Sequence, residues 1–252
     1  MSTFTYQNHT LYYNQIGQGK PLLLLHGNTV SSSFFTPLLP LLSQNYQVIL
    51  LDFLGNGASE HISEWPSDLW YEWSKQAIAL CEHLQLKEVF VLGCSGGALV
   101  AINLALEKPA LVKALIADSF EGIVANPETT EQIRMGREFA KQNKEFCSLL
   151  ETMHGEDYMD VFNADTLSII QHAKQVGRFF HKDIQDLEVP LLLMGSAQDE
   201  MFPPHHYQNL FDDICAKSKF ASYHIFETGN HPSLFSNTED FIRRCDLFFE
   251  NI

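Results

Sequence analysis

Basic residues are scarce in this chain of 252: 16 Lys and Arg stand against 31 Asp and Glu, a net charge of −15. Phosphate backbones and anionic lipid surfaces are bound by clustered Lys and Arg, so the imbalance argues against a nucleic acid or a membrane as partner. Apolar runs are short, and none comes near the roughly 20 residues that a bilayer-spanning helix needs. The polar opening, Met1 to Thr10, lacks the basic-then-apolar pattern of a secretion signal. Cysteine is thin as well. Cys81, Cys94, Cys147, Cys215 and Cys245 are widely spaced with no C-x-x-C pair, so they suggest neither a zinc site nor a disulfide framework and read as reduced thiols. Gly17-Gln18-Gly19-Lys20 lacks the spacing and the hydroxyl residue of a phosphate-binding loop. These absences set the expectation of a cytoplasmic protein that needs no metal or cofactor and meets a small molecule. They leave its oligomeric state open.

What is present is a rhythm of strand-length apolar runs: Leu22–Leu25, Val48–Leu51, Val89–Leu92, Ala114–Ala117, Val189–Met194 and Tyr223–Phe226. Unbroken apolar strands fit a sheet covered on both faces. Helical spacing fills the gaps, from near Ser67 through Leu84 and from Ala98 through Leu106, stopping before Pro109. The alternation predicts an α/β fold with a mostly parallel central sheet and helices on both faces. The first sixteen residues alternate apolar and polar around Asn8-His9 and read as an edge hairpin. From about Gly122 to Phe180 no buried strand is visible, while Met and Phe recur at helical intervals. A crossover needs far fewer residues. The expectation is a core of residues 1–121 and 182–252, with residues 122–181 as a helical insertion over one end of the sheet.

The most specific local pattern is Gly93-Cys94-Ser95-Gly96-Gly97, placed after one predicted strand and opening the next helix. This is the G-x-S-x-G turn in the context that gives it meaning: it lifts a serine hydroxyl to the sheet edge, with helix N-terminal amides beneath it for an oxyanion. A serine hydroxyl needs a base, and the base needs an acid. His231 follows the last predicted strand, and Asp199 follows the one before it. Ser, Asp, His is the chain order that brings three loops to one sheet edge. Asp118, ending another strand, is a second candidate for the acid. Glu200 has too long an arm. Cys94 reads as packing, His26 as a brace for its turn, and the loop Asp52 to Ser59 as a rigid support. His205-His206 does not make a metal pair, because adjacent helical residues point apart.

Together these segments resemble the α/β-hydrolase superfamily, over about Leu11 to Phe249. The carriers are His26-Gly27-Asn28, Asp52-x-x-Gly55-x-Gly57-x-Ser59, the serine turn and the histidine loop. The resemblance implies Ser95 as nucleophile, Asp199 as orienting acid and His231 as base. It also implies backbone N–H groups of Asn28 and Gly96 as oxyanion hole, and the insertion as cap. Three departures stand out: Gly195 to Asp199 is one residue longer than usual, Gly-Asn precedes the histidine, and Asp118 occupies an alternative acid position. The expected activity is that of a carboxylesterase-type serine hydrolase acting on small neutral or apolar esters. The same residues also suit a carbon–carbon bond hydrolase or lyase, or a slow or non-catalytic small-ligand receptor. Phe34, Phe53 and Leu54, following the two loops, are expected near the pocket mouth. No Lys or Arg is visibly aimed at the site.

Overall fold

A computed structural model describes residues 2–252. Eight strands form one sheet in the order β1-β2-β4-β3-β5-β6-β7-β8. The edge hairpin is β1 (Ser2–Tyr6) and β2 (His9–Ile16). Its turn falls on Gln7 and Asn8, both at positive φ, one residue before the expected Asn8-His9. Two consecutive positive φ values suit a two-residue turn whose twist matches that of the strands. The remaining strands are β3 (Lys20–Leu25), β4 (Tyr46–Leu51), β5 (Val89–Cys94), β6 (Val112–Asp118), β7 (Leu191–Ser196) and β8 (Ala221–Phe226). They run parallel to one another, and only β2 runs against the rest, pairing antiparallel with both β1 and β4.

Strands β3 to β7 are buried on both faces because helices cover each, whereas the edge strand β8 is only partly covered. In β3, Leu23 and Leu25 enter one core cluster while Leu22 and Leu24 enter the other, as the two-residue period of a strand requires. Each of these leucines, fully enclosed, contributes about 1.5–3 kcal/mol of hydrophobic stabilisation. The helices in chain order are α1 (Leu39–Leu42), α2 (Leu69–His83), α3 (Gly96–Glu107), α4 (Pro127–Ala140), α5 (Lys144–His154), α6 (Tyr158–Gln175), α7 (His206–Lys217), α8 (Ser233–Ser236) and α9 (Thr238–Glu250). Helix α3 is buried from Gly96 through Leu106, which explains a sequence that is apolar all round. No helix among the described residues is long and apolar enough to cross a membrane.

Helices α4 to α6 form the cap between β6 and β7. Their starts are written locally: Asn126 accepts from the N–H groups of Glu128 and Thr129 with Pro127 in the first turn, and Asn143 accepts from those of Glu145 and Phe146. An isolated bridge between Val124 and Arg178 joins the outgoing and returning chain.

Parallel register decides what meets at the sheet edge. Leu25 pairs with Gly93, Cys94 with Asp118, Asp118 with Met194, and Ser196 with Phe226. The loops beginning at His26, Ser95, Ser119, Ala197 and Glu227 therefore leave from one edge.

Candidate active site

Ser95 sits between β5 and α3 at φ 55°, ψ −127°, a conformation that costs of order 1–3 kcal/mol for a residue with a side chain. The turn closes only because its neighbours are glycines. A Cβ on residue 93 would overlap the Gly97 carbonyl, and one on residue 97 would overlap the Leu25 carbonyl. The Ser95 hydroxyl stands 3.0 Å from Nε2 of His231. Nδ1–H of His231 donates to Oδ2 of Asp199 at 2.8 Å.

Asp199 is buried and accepts two further bonds. The Tyr207 hydroxyl donates to the same Oδ2 at 2.6 Å, and the Met201 N–H donates to Oδ1 at 2.9 Å. Burial pushes its pKa up, but the donors and the adjacent imidazole outweigh burial and hold the carboxylate below its usual range. Glu200, its neighbour, accepts the backbone N–H of His231 instead. Asp118 makes no hydrogen bond to the His231 ring. It is fully enclosed and accepts from the Ser119 and Ser233 hydroxyls and the Leu234 N–H, pinning α8 and hence the end of the histidine loop to β6. Burial outweighs those donors and raises its carboxyl to about 6.

The Asn28 and Gly96 N–H groups have no hydrogen-bond partner among the described residues. The loop that carries Asn28 is held from four sides. His26 donates from Nδ1 to the Gly27 carbonyl at 2.8 Å and accepts the Phe53 N–H on Nε2 at 3.3 Å. Burial lowers its pKa to about 4, so the ring stays neutral and keeps that acceptor. Trp70 Nε1–H donates to the Asn28 side-chain oxygen at 3.0 Å. From the cap, His154 donates to the Thr29 carbonyl at 3.0 Å. Asp165, 0 % exposed, accepts from Asn28 Nδ2 at 2.9 Å and from the Thr29 N–H at 3.3 Å. Its other oxygen accepts from Arg137 Nη1 at 2.5 Å. The supporting loop is tied in parallel, since Asp52 accepts the N–H groups of Ser32 and Ala58.

A cavity of about 60 Å³ opens on Ser95 and Gly96, walled by Asn28, Trp70, Phe120 and Arg137. It abuts a groove of about 310 Å³ under α4, which shares Ile133, Arg137 and Met201 with it and adds Thr29, Phe146 and Phe162. Another hollow, of about 200 Å³, touches Asp199 and Tyr207 but neither Ser95 nor His231, and so lies behind the relay.

Two expectations need correction. Phe34, Phe53 and Leu54 do not line the cavity. Phe53 is enclosed in the core, stacked on Trp73 with ring centroids 4.6 Å apart, because the loop after β4 turns inward over α2. Leu54 packs against that same cluster, and Phe34 lies on Phe235, 4.4 Å between centroids. The aromatic wall comes instead from Trp70, Phe120 and Phe202. The second correction concerns charge: Arg137, from the cap, borders both the cavity and the groove. Cys94 is buried packing. His206 stacks on Phe202 at the start of α7.

Arg137, Asp165, His154 and Tyr207 carried no motif. Asp165 reaches Asn28 across 137 positions of sequence, and a polar residue on an amphipathic helix reads as solvated until its neighbour from another element is known.

A model of the alpha/beta hydrolase family matches residues 22–244 of the chain. The mouse protein "Serine hydrolase BPHL" is 24 % identical over 247 residues, covering 95 % of this chain and 83 % of that protein. The pimeloyl-[acyl-carrier protein] methyl ester esterase of Legionella pneumophila (strain Corby) is 26 % identical over 259 residues, covering 95 % and 99 %. Among solved structures, a meta-cleavage product hydrolase from Pseudomonas fluorescens IP01 superposes with a TM-score of 0.78 at 18 % identity, covering 100 % of this chain and 98 % of that one. That likeness is one of fold.

Proposed function

Because the chain belongs to the alpha/beta hydrolase family, we propose that it is a serine hydrolase that cleaves small carboxylic esters without a cofactor. Ser95 attacks the ester carbonyl while His231 Nε2 takes its proton. Asp199 keeps the imidazole in the Nδ1–H tautomer and stabilises the imidazolium. The free N–H groups of Asn28 and Gly96 hold the oxyanion of the tetrahedral intermediate. His231 then protonates the leaving alcohol, and a water activated by the same imidazole releases the acid from the acyl-Ser95 ester. The observation that carries this reading is the unbroken hydrogen-bond relay from Ser95 through His231 to Asp199, at 3.0 and 2.8 Å, with a cavity open on its serine end.

The small volume beside Ser95 suits a short acyl or alkyl arm, and the wider groove beneath α4 suits the other half of the ester. The test is turnover of a short p-nitrophenyl ester together with labelling by a fluorophosphonate probe. Ser95→Ala loses on the order of a million-fold in turnover if the three side chains act as a unit, and it loses the label. Hydrolysis by Ser95→Ala at the parent rate overturns the reading.

A further inference from the structure

Among the described residues, Arg137 is the only Lys or Arg that borders either the Ser95 cavity or the adjoining groove. Its side chain is 14 % exposed. Only one of its three nitrogens is used within the protein: Nη1 donates to Asp165 at 2.5 Å and to the Thr166 hydroxyl at 3.0 Å. Nε and Nη2 make no hydrogen bond to the described residues, and neither is among the enclosed atoms that lack a partner, so both border open space. That edge, with two parallel N–H bonds, is the one that matches the two oxygens of a carboxylate. One helical turn earlier in α4, Arg134 shows it in use, with Nε and Nη2 donating to Glu131 at 2.8 and 2.6 Å.

The guanidinium is also held ready. Asp165 and Thr166 fix Nη1, and the guanidinium lies over the Phe162 ring, 5.7 Å from its centroid. An anchored fork loses less entropy on binding than a free side chain would. Ile133, Phe162 and Met201 make the surroundings apolar, which strengthens a charged bond relative to water. The two acids beside it are occupied elsewhere. Glu200 accepts the His231 N–H and Glu121 accepts the Asn126 N–H. Asp165 already takes Asn28 and Thr29 besides Arg137, so it does not need the free edge.

We propose that Arg137 is a carboxylate anchor, and that the substrates are esters carrying a second carboxylate a few carbons from the scissile carbonyl. The proposal rests on the reading of Ser95 as nucleophile and departs from the expectation of neutral or apolar esters. It is tested with matched esters. On the acyl side these are the monomethyl esters of succinate, glutarate and adipate, each against its ω-amide and its ω-ammonium counterpart. On the alcohol side it is butyryl glycolate against butyryl glycolamide. Each carboxylate-to-amide ratio of kcat/KM is taken within one variant, which cancels changes in folded fraction or in the chemistry at Ser95.

The wild type is expected to prefer the carboxylate in at least one series by about tenfold to a hundredfold, the range for a hydrogen bond to a charged group. Arg137→Gln is expected to bring that ratio to near one. Arg137→Lys, a point charge without a fork, should leave it in between. No carboxylate preference in the wild type, a preference for the ammonium esters, or a preference that survives Arg137→Gln overturns the proposal. If neither variant folds, the wild type decides: competitive inhibition of p-nitrophenyl acetate turnover by glutarate but not by glutaramide supports the anchor, and equal inhibition overturns it. Failure of the underlying reading has its own signature, since a Ser95 that takes no fluorophosphonate label and cleaves none of the esters removes both claims together.

Discussion

Replacing Asp165 by asparagine leaves the shape of the side chain intact and removes only its charge and one acceptor. The carboxylate is fully enclosed and faces hydrogen-bond donors on both sides: Arg137 Nη1 on Oδ1, and Asn28 Nδ2 and the Thr29 N–H on Oδ2. An amide at 165 must therefore turn its NH2 either against the guanidinium or against the donors of Asn28 and Thr29. In the first case a largely buried cation loses its partner; in the second, two N–H groups lose theirs. Breaking a buried ion pair from one side costs about 3–5 kcal/mol, which in a chain of this size lowers Tm by roughly 6–20 °C. Activity should fall too, because the loop that carries the Asn28 N–H is gripped by this carboxylate. A displacement of about 1 Å in such a group costs on the order of a hundredfold. Urea unfolding and kcat on a short p-nitrophenyl ester measure the two effects separately. The double variant Asp165→Leu with Arg137→Met separates them further, since an apolar pair of similar volume should recover most of the stability while the Asn28 and Thr29 donors still lack their acceptor and kcat stays low. A loss below about 1 kcal/mol for Asp165→Asn, with kcat at the parent level, refutes a role for the cap in holding residues 28 and 29.

Tyr207→Phe removes one of the two donors on Asp199 Oδ2. The carboxylate becomes more basic and attracts the His231 imidazolium more strongly, so the acid limb of the kcat/KM profile should move to higher pH; an unmoved limb means that Tyr207 only packs. Asp118 gives a second pH signature, in stability. Its carboxyl is raised from 3.8 to about 6 in the folded chain, so between those values the native state binds more protons than the unfolded one. Its contribution is complete below pH 4 and is lost as pH rises through about 6, an order-of-magnitude change of ~3 kcal/mol. Going from pH 4.5 to 7, the urea midpoint of the parent should thus shift further toward lower stability (or gain less) than that of Asp118→Asn, and identical shifts would contradict it. Glu121, raised to about 7 by burial against the Asn126 N–H, acts in the same direction and is present in both proteins.

The inner sheet was legible because burial on both faces leaves almost no polar positions; the edge strand β8 keeps exposed Ser222 and Tyr223, yet each of the apolar runs from Leu22–Leu25 to Tyr223–Phe226 lies in a strand or overlaps one, with edges moved by a few residues. The serine turn was legible because its glycines answer to a local clash. Sequence order put the three loops of Ser95, Asp199 and His231 at one edge, since parallel register makes order and position equivalent. The cap interior was not readable. Arg137 and Asp165 sit on separate amphipathic helices, and each alone resembles an ordinary surface charge. Net charge is silent on such a side chain for the same reason: a balance of −15 sums the whole surface, whereas Arg137 borders the cavity at one point. Phe53 misled because proximity in sequence to a loop says nothing of which way a ring turns, and its ring turned toward Trp73.

The bridge between Val124 and Arg178 gives the cap a narrow neck. From outside it resembles a detachable module, one that could be traded among relatives to change what is cleaved. His154 and Asp165 contradict that view, since both come from the cap: His154 holds Thr29 and Asp165 holds Asn28 and Thr29, in the loop beside Ser95. Any exchange of this segment must therefore keep those contacts or rebuild them. The cap and the loop at residues 28 and 29 are thus linked through side chains as well as along the chain.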